Sequence, residues 1–261
     1  MTESLDRLEG VGKFQTYANY KDSGLPWLGE VPEYWNLVRL KRACLMITDG
    51  SHFSPPSTEM GCPYVTVRDL VDGKVNVEGA AKISESDFAL LARNGCRPRI
   101  GDVLFSKDGT IGKVAEVTRD DFVVLSSLAI LRPGSHLHAS FLAYFLRSKL
   151  GTDQMESYLA GAALRRITLD VIVNLAILLP PIEEQHAIVT YLDQETTKIE
   201  TAIATYERLN VLLQEKRQAL ISHAVTKGLD PNVLMRDSGV EWLREVPAHW
   251  EVTRLKESVA A

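Results

Sequence analysis

The amino-acid sequence predicts an α+β protein: one globular mixed α/β domain followed by a long coiled-coil-forming helix. Three observations predict it. Residues 63–133 set short apolar runs between turns marked by Gly, Pro and Asp-Gly, the pattern of strands and hairpins. From Ile182 to Thr226 there is neither Gly nor Pro, which is the pattern of one uninterrupted helix. Finally, residues 22–41 (DSGLPWLGEVPEYWNLVRLK) return at 237–256 (DSGVEWLREVPAHWEVTRLK), agreeing at 12 of 20 positions with an offset of 215 residues. A repeat of that period is a whole domain with its connector, too long for a solenoid unit. The chain therefore holds one complete unit and the opening of a second.

The elements follow in order. Residues 1–19 lack periodicity and are expected to be a loose leader. The globular domain is placed at 20–181, the long helix at 182–227 and the start of the second unit at 228–261. Thr48–Pro63 is rich in Gly, Pro and Ser and predicts a long loop. PYVTVRDLV at 63–71 alternates β-branched with polar residues and predicts a strand, and the Asp72-Gly73 turn into KVNVEG predicts a hairpin. Residues 85–95 predict a helix stopped by Gly95. DVLFS at 102–106 and GKVAEVT at 112–118 predict two strands around the turn Lys107–Thr110, and FVVLSSLAILRP at 122–133 a buried strand. HASFLAYFLRS at 138–148 predicts an amphipathic helix, and TLDVIVNLAILLPP at 168–181 closes the domain.

The long helix has terminal signals of its own. Pro180 and Pro181 precede it, Glu183 and Glu184 sit in its first turn, where they suit the helix dipole, and Lys227, Gly228 and Pro231 mark its end. Alternating steps of four and three from Ile188 give Ile188, Leu192, Glu195, Ile199, Ala202, Tyr206, Leu209, Leu213, Lys216, Leu220 and His223, eight of them apolar. That is a heptad seam. A helix of this length, roughly 65 Å, wants a partner helix to cover its stripe.

Composition narrows the functional classes. Hydrophobic content of 45% is enough to bury a core, and no run approaches a membrane span. The acidic, polar start MTESLDRLEG is not a signal peptide. Cys44, Cys62 and Cys96 are odd in number and widely spaced, so they suggest no disulfide framework or zinc knuckle and fit a reduced, intracellular compartment. The net charge of −5 hides an asymmetry, because residues 39–179 hold 17 Lys/Arg against 15 Asp/Glu. Their densest basic patch is 93–113, with Arg93, Arg97, Arg99, Lys107 and Lys113.

Catalytic motifs are missing. There is no GxGxxG and no GxSxG. Gly109-Thr110-Ile111-Gly112-Lys113 is too short for a P-loop and continues with Val114, and His136 and His138 have no ligand set around them. The sequence thus predicts a reader or adaptor with no cofactor and no metal.

Several motifs, in order, carry a family resemblance. DSGLPWLGEVPEYW opens the domain, ITDGSHFSPP lies at 47–56, YVTVRDLVDGKV at 64–75, IGDVLFSKDGTIGKVAEV at 100–117, and LAGAALRRITLDVIVNLAILLPPIEEQHAIVTYLD at 159–193. From about Tyr20 onward the chain resembles the DNA-specificity subunit of type I restriction-modification enzymes. The resemblance implies a target-recognition domain that reads one half of a split duplex DNA site and a helix that works as a ruler between halves. It also implies partner subunits for modification (adenine methylation) and, where a system has them, for restriction, in a bacterial or archaeal cytoplasm and away from membranes. The catalytic chemistry belongs to those partners. The family form has two domains and two antiparallel helices, whereas this sequence has one of each. Two explanations stand, a natural half-subunit or the first half of a longer subunit, and under either the expectation is a homodimer through Ile188, Leu192, Ile199, Ala202, Tyr206, Leu209, Leu213 and Leu220, which as a two-fold dimer would read a palindromic split site.

Reading bases needs side chains that reach groove edges, while phosphate contacts set the position. The candidates are Ser51 and His52 on the Gly-hinged loop, Arg68 at a strand end, Lys107, Thr110 and Lys113 around the turn, and Arg165 with Arg166 on a small-residue loop opened by Gly161. Trp27, Trp35, Trp242 and Trp250 are expected as packing anchors at the domain–helix junctions, with the second copy bracing the partner in a dimer. A rival reading is a coiled-coil scaffold that does not touch DNA. A cryptic nuclease is disfavoured because no paired-carboxylate metal motif is present.

Overall fold

The computed structural model describes residues 17–25, 28–159 and 166–253. The chain opens on an antiparallel ribbon of β1 (Tyr20–Asp22) and β2 (Glu30–Pro32). Then β3 (Asn36–Arg39) leads through one helical turn, α1 (Leu40–Ala43), into β4 (Cys44–Asp49). After the long loop comes β5 (Cys62–Val65).

The single strand expected over 63–71 is broken. The Asp69 carboxylate accepts the Thr66 main-chain N–H at 2.7 Å and its hydroxyl at 3.0 Å, closing a 3-10 turn over Val67–Asp69. Only then do β6 (Leu70–Val71) and β7 (Lys74–Val75) pair, around a turn with φ of 49° at Asp72 and 78° at Gly73. Two positive φ values are what a two-residue hairpin of type I′ requires.

Next come β8 (Ala81–Ile83) and α2 (Glu85–Arg93), whose N-terminus is capped by Ser84 and which is followed by Gly95 at φ 83°. The strands β9 (Val103–Ser106) and β10 (Val114–Glu116) flank the expected turn. The run 122–133, expected as one strand, divides into β11 (Val123–Val124) and β12 (Leu128–Pro133), which belong to different sheets. After α3 (Ala139–Arg147) stands a helix the sequence did not predict, α4 (Lys149–Leu159). The closing segment is α5 (Leu169–Asn174) with β13 (Ala176–Leu179), then α6 (Ile182–Lys227), and last β14 (Met235–Asp237) with β15 (Glu245–Pro247).

The central sheet is antiparallel in the order β10-β9-β12-β4, and a smaller one runs β11-β5-β8 with β11 parallel to β5. Side chains alternate across β9 and β12. Val103, Phe105, Ala129 and Leu131 pack with α3, α5 and β13, while Leu104, Leu128 and Ile130 pack with Leu70, Phe122 and Val124. Both faces are buried, which is why VLFS and LAIL read as unbroken apolar runs rather than alternating ones.

Two compact units result, Met1–Leu192 and Asp193–Ala261. The first turns of α6 belong to the first. Gln185, fully buried, accepts from His138 N–H at 2.8 Å and donates to the carbonyls of His136 and Pro180, each at 2.9 Å. Val189 is buried in the core, with Ile188 packed against it. Glu184 receives Tyr17 Oη at 2.5 Å, Trp35 Nε1 at 3.2 Å and Tyr34 Oη at 3.5 Å. Tyr17 falls in the segment expected as loose leader, yet it holds the helix start; residues 1–16 lie outside the described residues.

In the second unit, α6 presents Ile199, Tyr206, Leu209, Leu213 and Leu220 as exposed side chains. The repeat also shows itself there as structure. β14 pairs with β15 in the register Met235↔Pro247, Arg236↔Val246, Asp237↔Glu245, each residue 215 beyond its counterpart in Tyr20↔Pro32, Lys21↔Val31, Asp22↔Glu30. The Asp22 carboxylate caps Gly24 N–H at 2.8 Å, and Asp237 caps Gly239 N–H at 2.9 Å. The backbone conformation is kept even where a glycine is replaced: Gly29 at φ 70° corresponds to Arg244 at φ 59°, a left-handed conformation that costs a side chain about 1–2 kcal/mol. Of the tryptophans expected as anchors, Trp35 binds Glu184 and Trp250 packs near Gly228, but Trp242 is 82% exposed, and Trp27 lies outside the described residues.

Candidate nucleic-acid interface

The candidate loops converge beside the turn that follows β9. This turn is closed from within: the Ser106 hydroxyl donates to Thr110 O at 2.6 Å and accepts Lys113 N–H at 2.8 Å. Gly109 has φ 72° and Gly112 φ 87°, so the chain reverses through conformations that favour glycine.

The loop 50–54 is laid onto the start of β12. Gly50 N–H reaches Leu128 O at 3.1 Å, Ser51 N–H reaches Val124 O at 2.8 Å, and Ser51 O accepts Ser126 N–H at 2.9 Å. A Cβ at Gly50 would stand 2.2 Å from Val124 O, so no side chain fits there. Ser51 is turned inward at 5% exposure, its hydroxyl bridging to Phe53 O and N. His52 points outward with a side chain 69% exposed, its Nε2 3.3 Å from Asp49.

The other candidates divide the same way. Lys107 is 2% exposed, with Nζ 3.1 Å from Asp49 Oδ2. Lys113 donates to the carbonyls of Leu70 at 2.8 Å and Val67 at 3.3 Å, which ties the turn to the 3-10 segment. Arg68 and Thr110 are exposed. Arg68, Asp108 and Gly109 line one cleft of 280 Å³ with Leu125 and Ser127, and Thr110 lines another of 330 Å³ against Thr152 and Glu156 of α4. Arg166 Nε lies 3.8 Å from Asp108, both half-exposed. Arg165 and Gly161 lie outside the described residues. The outward set is therefore His52, Arg68, Thr110 and Arg166. Ser51, Lys107 and Lys113 already have internal partners.

The 93–113 basic patch does not form one surface. Arg97 pairs with Asp120 at 3.4 Å beside a 600 Å³ cleft that Arg99 and Arg132 also line, while Lys107 and Lys113 are committed elsewhere. Sequence reasoning passed over the acids that organise the outward set, Asp49 and Asp108. Their spacing to Lys107 and Arg166 becomes visible only once β4, β9 and the Ile167 segment are side by side. Burial pushes the Cys44 thiol up to about 12, with Asp102 adding to it, and raises Cys96 above the ordinary thiol range. Among the described residues no three His, Cys, Asp or Glu groups stand together as a metal site.

The chain thus combines a mixed α/β domain, the outward side chains of His52, Arg68, Thr110 and Arg166 around one turn, and a long helix that follows the domain. Residues 57–211 match the family described as type I restriction modification DNA specificity domain, and the chain belongs to that family. It is 26% identical over 251 residues to a putative type I restriction enzyme MjaX specificity subunit of Methanocaldococcus jannaschii, covering 93% of this chain and 56% of the relative. It is 30% identical over 212 residues to the type I restriction enzyme EcoKI specificity subunit of Escherichia coli, covering 76% and 44%. The chain thus spans about half the length of the curated relatives it matches. A solved structure described by the assembly and conformational transition of the type I R-M system resembles it with a TM-score of 0.61 at 26% identity, over 80% of this chain and 49% of that one. The HsdS subunit from Thermoanaerobacter tengcongensis does so with a TM-score of 0.54 at 27% identity, over 80% and 48%. The sheet-rich domain followed by a long helix is the fold shared with these structures. Among the described residues no helix is long and apolar enough to cross a membrane.

Proposed function

We propose that the chain reads one half of a split duplex DNA site for a type I restriction-modification complex, without catalysing chemistry itself. The residues of 20–181 form its target-recognition domain and 182–227 its connector. In this reading it places a modification subunit, and a restriction subunit where one exists, relative to the bound site. The observation that carries the reading is the convergence of His52, Arg68, Thr110 and Arg166 on one turn inside the family-matched region. Arg166 and Arg68 suit guanine edges or phosphates, and His52 suits a groove edge.

The helix supports a second part of the proposal, a homodimer. Its exposed stripe is a liability in water unless covered. Charge favours antiparallel pairing. The first half carries Glu183, Glu184, Asp193, Glu195 and Glu200 against Lys198, and the second half Arg208, Lys216, Arg217 and Lys227 against Glu207 and Glu215. Antiparallel copies set acidic half against basic half. Ile188 packs on its own domain, so the free seam runs from Ile199 to Leu220.

The test is methylome sequencing of cells co-expressing the chain with a modification subunit. A palindromic split motif carrying methyladenine supports both parts. No new motif refutes the reading and leaves the coiled-coil scaffold, which the exposed seam also suits. Arg165→Ala with Arg166→Ala is expected to abolish the motif and leave the fold intact.

A further inference from the structure

Lys107 follows β9 in the turn that faces the candidate interface, where a lysine would ordinarily offer its ammonium to solvent or phosphate. It is instead almost wholly buried, and its bonds go to three separate segments. Its Nζ lies 3.1 Å from Asp49 Oδ2, at the mouth of the 50–54 loop. Its N–H donates to Ser127 O at 2.9 Å, just before β12. Its carbonyl accepts Ile167 N–H at 2.8 Å, next to Arg166 in the segment before α5. The same Asp49 oxygen stands 3.3 Å from His52 Nε2, and the neighbouring Asp108 stands 3.8 Å from Arg166. Each exposed basic group on either side is therefore one contact away from this residue. A buried ammonium is tolerated only when paired, and breaking the pair leaves an uncompensated charge, so Asp49 and Lys107 hold each other in place.

We infer that Lys107 is a positioning residue: its buried pair with Asp49 sets the spacing between the 50–54 loop, the 108–112 turn and the Arg166–Ile167 segment, and through that spacing the discrimination between DNA sequences, while Lys107 itself touches no DNA. The inference rests on the DNA-reading function proposed above.

The experiment uses the full chain assembled with its modification subunit, and compares wild type with Lys107→Met, Asp49→Asn, the double variant and Lys107→Arg. Two quantities are read. One is the ratio of specific to non-specific duplex affinity across a salt series; the other is amide exchange at Ser51 and Ile167. The expected result for Lys107→Met is at least a tenfold fall in the ratio, faster exchange at both amides and an unchanged salt slope, with recovery toward wild type in Lys107→Arg. The double variant is expected to fall no further than the singles. A salt slope reduced by about 0.9 would mean a direct phosphate contact and overturn the inference. So would an unchanged ratio accompanied only by lower thermal stability. Should Lys107→Met fail to fold, Asp49→Asn, which keeps the volume and an acceptor, decides on the same criteria. A wild-type complex with no sequence preference defeats the DNA-reading function and the discrimination with it. Unchanged amide exchange in a complex that does discriminate defeats the positioning role alone.

Discussion

Asp102 shows how far a single buried carboxylate reaches. It is 2% exposed and accepts Arg132 Nε and a terminal guanidinium nitrogen, each at 2.8 Å, and Arg99 N–H at 2.7 Å. Asp102→Ala strands the Arg132 guanidinium, and the expected loss is about 3–5 kcal/mol, read as a lower urea midpoint with an unchanged slope. Tyr17 adds a pH-dependent contact. Burial first, then the Glu184 carboxylate, raises its phenol above the ordinary value. The folded chain holds that proton more tightly than the unfolded chain does, so the stabilisation is complete below about pH 10 and is lost as pH rises through the folded value. Absorbance titration at alkaline pH should show Tyr17 ionising late together with Tyr34 and Tyr64, whose phenols are also raised, and Tyr17→Phe should remove one tyrosine from that late group. Lys107 and Lys113 mark the limit of reading residues by type. In the sequence both are cations on a glycine-rich turn. Their acceptors, Asp49 and the Val67 and Leu70 carbonyls, lie 40 to 60 residues away in sequence and come close only through sheet register. The exposure of His52, Arg68, Thr110 and Arg166 is what such residues in loops adopt by default, so it was legible without knowledge of the fold.

Elements were legible where local chemistry decides them. The Asp72-Gly73 hairpin, the Ser84-capped α2 and the 46-residue α6 all follow from turn residues, caps and periodicity. The breaks were not. Thr66 and Asp69 interrupt an otherwise strand-like run by bonding each other, and the residues from Leu125 to Ser127 hand the chain from one sheet to another. The helix α4 was missed because KLGTDQMESYL has little apolar periodicity and carries a glycine. That glycine has a packing role. A Cβ at Gly151 would lie 2.6 Å from Phe145 O and 2.7 Å from Leu146 O, backbone atoms at the end of α3. Gly151→Ala must push the two helices apart, at an expected cost of about 1–3 kcal/mol. The displacement should spread to Gln154, whose amide bonds both N–H and C=O of Ala176 at 2.8 and 2.9 Å. Faster amide exchange at Ala176 in the variant would register it. An unchanged melting temperature would show that α4 can shift freely.

For the whole molecule, the repeat seen in sequence is a repeat in three dimensions, with strand register and Asx cap conserved across 215 residues. The connector between the copies is where the proposed dimer stands or falls. Leu209→Glu with Leu213→Glu buries two carboxylates in any paired seam. It is expected to turn the proposed dimer into a monomer in sedimentation, with helicity per chain reduced at most slightly. Direction of pairing needs a different lever. Changing Asp193, Glu195 and Glu200 to Lys should weaken an antiparallel dimer, because a basic half then meets the partner's basic half. Adding Arg208, Lys216 and Arg217 to Glu in the same chain should restore it. In a parallel dimer each half faces its own copy, so reversing one set of charges leaves like facing like, and the second reversal restores nothing. Loss followed by recovery across this pair of variants, steepest at low salt, therefore separates the two arrangements. A dimer indifferent to both would place the seam's energy wholly in Ile199, Tyr206, Leu209, Leu213 and Leu220, and antiparallel order would lose its electrostatic basis.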